Sequence, residues 1–213
     1  MKPLNFLVDG PQNANKKVIL AHGAGAPMDS PFMSAFAKGL GATGIKVTRF
    51  EFSYMRDFRR NKVRRPPSRV DVLKEEWRAI LHMFDSERLI IGGKSMGGRI
   101  ASMLLSEPDL AQRQVIGLVC LGYPFHSYSN PEKTRVDHLS HIKTPTLICQ
   151  GERDIMGNKE EISGYNLSKS ISIHWLPDGD HSFKPRKASG YGQKENWESG
   201  IKAIQKFIDG LEI

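Results

Sequence analysis

Serine 95 stands in GGKSMGG, with Gly93 and Gly97 each two positions away. On its own, G-x-S-x-G is a weak pattern, because it also arises by chance and also suits a simple turn. Its setting strengthens it. RLIIG precedes it and the helical pattern MGGRIASMLLSE follows, so the serine falls on a strand-to-helix turn with its hydroxyl raised from a sheet edge. A serine hydroxyl needs a base before it can attack a carbonyl carbon. His181, in PDGDHSF, is the best candidate, and Asp154, in GERDIMG, is the favoured carboxylate to orient it. Asp178 and Asp180 lie too close to His181 along the chain to reach round its ring easily. The loop after VIGLVCLG offers no acid before Glu132. A turn-capping aspartate is the other reading of position 154. The oxyanion of a tetrahedral intermediate needs N–H donors. Met96 supplies one, and Ala24 in HGAG the other, with Gly23 and Gly25 letting the main chain approach a substrate. His22 opens that loop and is placed to brace it. Read as a phosphate loop, GAGAP lacks the Lys-Ser/Thr and G-x-G-x-x-G spacings. His174 reads as structural, and His138 and His141 as polar surface-loop residues.

Such groups meet only if the fold brings them together. Six β-branched or apolar runs recur: KKVILAHG, GIKVTRFEF, ERLIIGG, RQVIGLVCLG, TPTLICQG and ISIHWLP. Several are continuously apolar, as strands buried on both faces are. Helical patterns lie between them. SPFMSAFAKGL opens with Ser30 as N-cap and Pro31 at the first helical position. RVDVLKEEWRAILHMF aligns Val70, Leu73, Trp77, Ile80, Leu81 and Phe84 on one face, and ENWESGIKAIQKFIDGL repeats the spacing with Trp197, Ile201, Ile204 and Phe207/Ile208. Alternating strands and helices predict an α/β three-layer sandwich around a mostly parallel, doubly wound sheet. Sites in such sheets form at the carboxyl ends of the strands. HGAGAP, GKSMGG, GERD and DGDHSF each follow a run.

The length of 213 residues suits a single domain over residues 1–213. No apolar run is long enough to span a membrane, and MKPLNFLVDG lacks the apolar core of a signal peptide. Cys120 and Cys149 sit inside apolar runs without metal-like spacing, so buried reduced thiols, a cytoplasmic location and no metal site are expected. The net charge of +8 is concentrated in residues 56–69, RDFRRNKVRRPPSR, which hold seven Arg/Lys against one Asp. The plain reading is a solvated loop stiffened by Pro66 and Pro67. A second has Arg59, Arg60, Arg64 and Arg65 binding a carboxylate or phosphate of the substrate. A third is contact with nucleic acid or an acidic protein, and Phe58 alone makes a poor base-stacking platform.

With HGAGAP, GKSMGG, GERD and DGDHSF in this order, the chain resembles the α/β-hydrolase superfamily over essentially its whole length. SYMRDFRRNKVRRPPSR followed by LKEEWR resembles its small dienelactone-hydrolase-like branch, which includes the testis-expressed hydrolase-like proteins and the hydrolase-like subunit of a histone-acetyltransferase regulatory complex. The resemblance implies Ser95 as nucleophile, Asp154 as acid and His181 as base, with serine where dienelactone hydrolases proper use cysteine. About two dozen residues separate Leu121 from Pro145, too few for a folded cap. An open, shallow cleft is therefore expected, lined on one side by Tyr123 and Phe125. These readings converge on a serine hydrolase that cleaves a small ester or thioester, anionic in one version, through an acyl-enzyme on Ser95. No cofactor, membrane or nucleic-acid partner is expected. The alternative is a non-catalytic α/β-hydrolase-fold binding or scaffold protein that uses the basic loop 56–69.

Overall fold

Alternate residues of the central strands face opposite cores. Val18 and Leu20 join Ile90, Val119, Leu121, Leu147 and Cys149 on one side, while Ile19 and Ala21 join Ile91, Leu118, Cys120 and Ile148 on the other. Strands buried on both faces need helices on both faces, which is why the runs read as continuously apolar. The computed structural model describes residues 5–84, 87–107 and 115–212. Strands β1 (Leu7–Asp9), β2 (Lys17–Ala21), β3 (Lys46–Phe50), β4 (Leu89–Lys94), β5 (Val115–Leu121), β6 (Thr146–Gly151) and β7 (Ile171–Leu176) form one sheet in the order β1-β3-β2-β4-β5-β6-β7. All neighbours are parallel except β1 on β3.

Helices α1 (Pro31–Ala42) and α6 (Gln193–Asp209) cover one face, packing Met33, Phe36, Leu40, Ile204 and Ile208 into its core. Helices α3 (Val70–His82) and α4 (Met96–Leu105) cover the other with Leu73, Trp77, Ile80, Ile100 and Leu104. This is the three-layer, mostly parallel architecture predicted. Ser30 caps α1, accepting from the Met33 N–H at 3.4 Å, with Pro31 as its first residue. Between β5 and β6 there is a single 3-10 turn, Asp137–Ser140, and no cap.

Two elements differ from the sequence reading. Strand β1 is too short to carry a period, and it is held by Asp9, which accepts from Arg49 at 2.7 Å. Much of the basic segment is helical rather than loop. Helix α2 (Ser53–Asn61) buries Tyr54 and Met55, and the Glu76 carboxylate accepts from the Ser53 N–H and hydroxyl at 2.6 and 2.7 Å. It ends at Lys62 in a left-handed conformation (φ 59°). Residues 62–69, with Pro66 and Pro67, then lead to α3 without regular structure. A short helix, α5 (Lys159–Ser163), opens on a capping box between Asn158 and Glu161. Among the described residues no helix is long and apolar enough to cross a membrane.

Candidate active site

Between β4 and α4 the chain turns on one residue, Ser95, which adopts φ 51°, ψ −115°. A non-glycine residue in that region is strained, and here surrounding contacts impose it. The Ser95 N–H donates to the Leu121 carbonyl at 2.9 Å, and the Ser95 carbonyl accepts the Arg99 N–H at 3.0 Å. The turn needs glycine at 97, because a Cβ there would meet the Ala21 and His22 carbonyl oxygens at 2.5 and 2.7 Å. At 93 a Cβ would lie 2.2 Å from the Ala21 oxygen.

The Ser95 hydroxyl faces His181. Its Oγ is 2.9 Å from Nε2, and Nδ1 is 2.7 Å from Asp154 Oδ2. An acceptor carboxylate at Nδ1 fixes the N–H on that nitrogen and leaves Nε2 to accept the serine proton. Asp154 follows β6 and is wholly buried. Its oxygens are fixed by the Gln150 side-chain amide on Oδ2 (2.9 Å) and the Met156 N–H on Oδ1 (2.9 Å). Burial holds the His181 pKa below its usual value; the Asp154 hydrogen bond opposes that and the Lys94 charge adds to it.

Asp178 and Asp180 serve the loop that carries His181. Asp180 Oδ1 accepts from the Ser182 and Lys184 N–H groups at 2.7 and 3.0 Å. Asp178 pairs with Arg186 and Arg153, which hold its carboxyl at about 2. Lys94, unremarked in the motif because its position there is free to vary, donates from Nζ to the His181 carbonyl at 2.7 Å. It also lies over the Phe32 ring at 5.3 Å.

The HGAG loop passes beside the serine. A Cβ on Gly23 would lie 3.6 Å from Ser95 Cβ and 3.4 Å from Lys94 Cγ, whereas Gly25 faces open space. His22 is fully buried beneath it. It accepts the Phe52 N–H at Nε2 (3.2 Å), so Nδ1 carries the proton and donates to the Gly23 carbonyl at 2.6 Å. The Tyr54 hydroxyl adds a bond to the Ala24 carbonyl at 3.0 Å. Thus His22 and Tyr54 hold carbonyls of the loop pointing inward. Met96, the first residue of α4, has an N–H with no partner inside the helix.

Other assignments need correction. Tyr123 and Phe125 do not line a cleft. Both are fully buried, with ring centroids 4.8 Å apart, because Gln150 Oε1 takes the Tyr123 N–H at 2.7 Å and turns the segment into the core. Phe125 also stacks on Tyr165. Arg59 is bound within the protein, its Nε reaching both Glu51 oxygens (2.7 and 2.8 Å) and its Nη2 reaching Asp29 (2.5 Å). Arg60 pairs with Asp57 at 2.9 Å, Arg64 lies over the Phe58 ring, and Arg65 is exposed. Arg59 and Arg60 border a cavity of about 960 Å³ beside Glu51 and Glu76, and neither Ser95, Asp154 nor His181 lines it. His138 is not a free surface residue. Its Nε2 lies 2.9 Å from Ser102 Oγ, and burial, with the Arg99 charge, pushes its pKa down to about 4. Cys120 and Cys149 are buried, and burial drives both thiols upward, Cys149 to about 12.

A family model described as an alpha/beta hydrolase domain matches residues 14–209. Solved structures of similar fold include a dienelactone hydrolase from Anabaena variabilis, 19% identical over 99% of this chain and 93% of that one, with a TM-score of 0.71. Another is Est1E from Butyrivibrio proteoclasticus with ferulic acid bound, at 13% identity over 97% and 96% of the two chains (TM-score 0.70). A third is an α/β serine hydrolase without lid from Xanthomonas campestris, at 17% over 95% and 89% (TM-score 0.66). At these identities the likeness is one of fold.

Proposed function

We propose that this chain, which belongs to the alpha/beta hydrolase domain family, is a serine hydrolase that cleaves a carboxylic ester or thioester through an acyl-enzyme on Ser95. The observation that carries the reading is the continuous relay from Ser95 Oγ through His181 to a fully buried Asp154.

As Ser95 Oγ bonds to the substrate carbonyl carbon, His181 Nε2 takes its proton. The imidazolium so formed faces the Asp154 carboxylate, which keeps the ring in the right tautomer. The carbonyl oxygen becomes an oxyanion and accepts from the Met96 and Ala24 N–H groups, the first favoured by the start of α4. Collapse expels the alkoxide or thiolate, which takes the proton from His181 and leaves Ser95 acylated. Water then attacks the acyl carbon, giving its proton to His181. The second tetrahedral intermediate releases the acid and returns the proton to Ser95. Est1E and the serine hydrolase from Xanthomonas campestris, both of this fold, are consistent with that chemistry.

Steady-state turnover of p-nitrophenyl butyrate and of an acyl-thioester tests the proposal. The wild type is expected to turn over at least one, with kcat about 10³-fold or more above Ser95→Ala. Equal rates for the two proteins would remove Ser95 from the chemistry.

A further inference from the structure

Arg99 lies one turn into α4, four residues after Ser95. Helical side chains lean toward the helix N-terminus, so Arg99 is directed back toward the end that carries Ser95. The side chain is half-buried, its Nε is wholly buried, and that Nε has no hydrogen-bond partner. Among the described residues no carboxylate pairs with it. The other arginines of comparable burial, Arg49, Arg56, Arg78 and Arg153, each meet an acid.

One hydrogen-bonded network links Arg99 to Arg135: the Ser102 hydroxyl donates to the Arg99 carbonyl at 2.8 Å and lies 2.9 Å from His138 Nε2, which is 3.2 Å from the Tyr123 hydroxyl. Burial, and then the Arg135 charge, pull the Arg99 pKa below the usual arginine value. Arg135 is also half-buried, and among the described residues its side chain reaches the His126 carbonyl alone, at 3.5 Å. Its main chain is fixed, because the Arg135 N–H donates to Phe125 at 2.7 Å and its carbonyl accepts from Tyr123 at 3.2 Å. Two half-buried guanidinium groups on one network, neither paired with an acid among the described residues, are costly in the free protein.

We infer that Arg99 and Arg135 form an anion subsite beside Ser95, which receives a carboxylate or phosphate group carried by the substrate. The inference rests on the serine-hydrolase reading for its substrate, but not for the binding of the anion itself. Planar guanidinium forks suit either oxyanion. The subsite takes the substrate role expected of Arg59 and Arg60, both of which are bound to acids.

The test has a binding arm and a turnover arm. Succinate and inorganic phosphate are titrated calorimetrically into wild type, Arg99→Gln and Arg135→Gln. At least one anion is expected to bind the wild type, and about tenfold more weakly to each variant, the loss of one charge-assisted contact. The tighter of the two identifies the group. Failure of both to bind the wild type, or equal binding by all three proteins, overturns the subsite. In the second arm, the ratio of kcat/KM for mono-p-nitrophenyl glutarate to that for p-nitrophenyl butyrate is expected to fall about tenfold in the variants. An unchanged ratio overturns the substrate assignment. If the wild type hydrolyses neither ester, the hydrolase reading fails, and the calorimetry still decides the subsite. Should Arg99→Gln not fold, Arg135→Gln, altered in a segment outside the helices, carries both arms.

Discussion

The Lys94 ammonium and the His181 carbonyl are joined by a 2.7 Å hydrogen bond, so the residue before Ser95 holds the loop that bears its partner. Burial depresses the Lys94 pKa to about 7, against the opposing pull of Asp154 and Asp180. An unfolded lysine titrates near 10.5, so between pH 7 and 10.5 the unfolded chain binds more protons than the folded one at this site. Stability therefore rises with pH across that window through Lys94. Lys94→Met lacks the effect. Its Tm relative to wild type is expected to be higher at pH 7 than at pH 10. A difference independent of pH would contradict the depressed pKa.

The same contact bears on catalysis. On the proposed mechanism His181 must be neutral to accept a proton, and its pKa is lowered by burial, with the Lys94 charge contributing. The acid limb of kcat/KM should lie below pH 6.5 in the wild type and move upward in Lys94→Met. A limb at the same pH in both proteins would separate Lys94 from the base.

Asp154→Asn keeps the shape of the site and removes the acceptor that sets the His181 tautomer. A fall in kcat of about 10³–10⁴-fold is expected, from the cost of the wrong tautomer in such relays. Loss of less than tenfold in a folded variant would assign Asp154 a capping role only.

Gly97→Ala would push a Cβ to 2.5 Å from the Ala21 oxygen, against main chain that cannot yield without moving β2. The expected loss is roughly 3 kcal/mol or more, with wild-type stability the contradicting outcome in urea unfolding.

Arg59→Ala leaves Glu51, whose side chain is 3% exposed, without its guanidinium partner. Because Arg59 itself is 39% exposed, solvent screens part of the pair and the expected cost is about 1–3 kcal/mol. An unchanged midpoint in urea unfolding would return Arg59 to the substrate-binding role expected from the sequence.

These cases also explain what was legible in the chain. Ser95, Asp154 and His181 could be found because each lies just past a strand whose apolar run is unmistakable, and parallel strands deliver their carboxyl ends to one edge. The inward turn of Tyr123 and Phe125 depends on Gln150, a polar residue inside the run TLICQG with no local signature. The ties of Arg59 to Asp29 and Glu51 span 30 and 8 residues, so its charge reads as free until the fold is known. Helix α2 is hidden by its arginines, since Tyr54 and Met55, with the partly buried Phe58, are all that mark its core side. Arg99 stood in plain view after GKSMGG. That no acid among the described residues pairs with it is a property of the packed structure alone.

Intact-mass measurement after fluorophosphonate labelling reports on Ser95 itself, because the probe phosphonylates only an activated serine. One adduct is expected on the wild type and none on Ser95→Ala. His181→Ala should be labelled much more slowly, for want of the base 2.9 Å from Oγ. A folded wild type that stays unlabelled beside a reactive control hydrolase, or an adduct that persists in Ser95→Ala, would contradict Ser95 as the nucleophile.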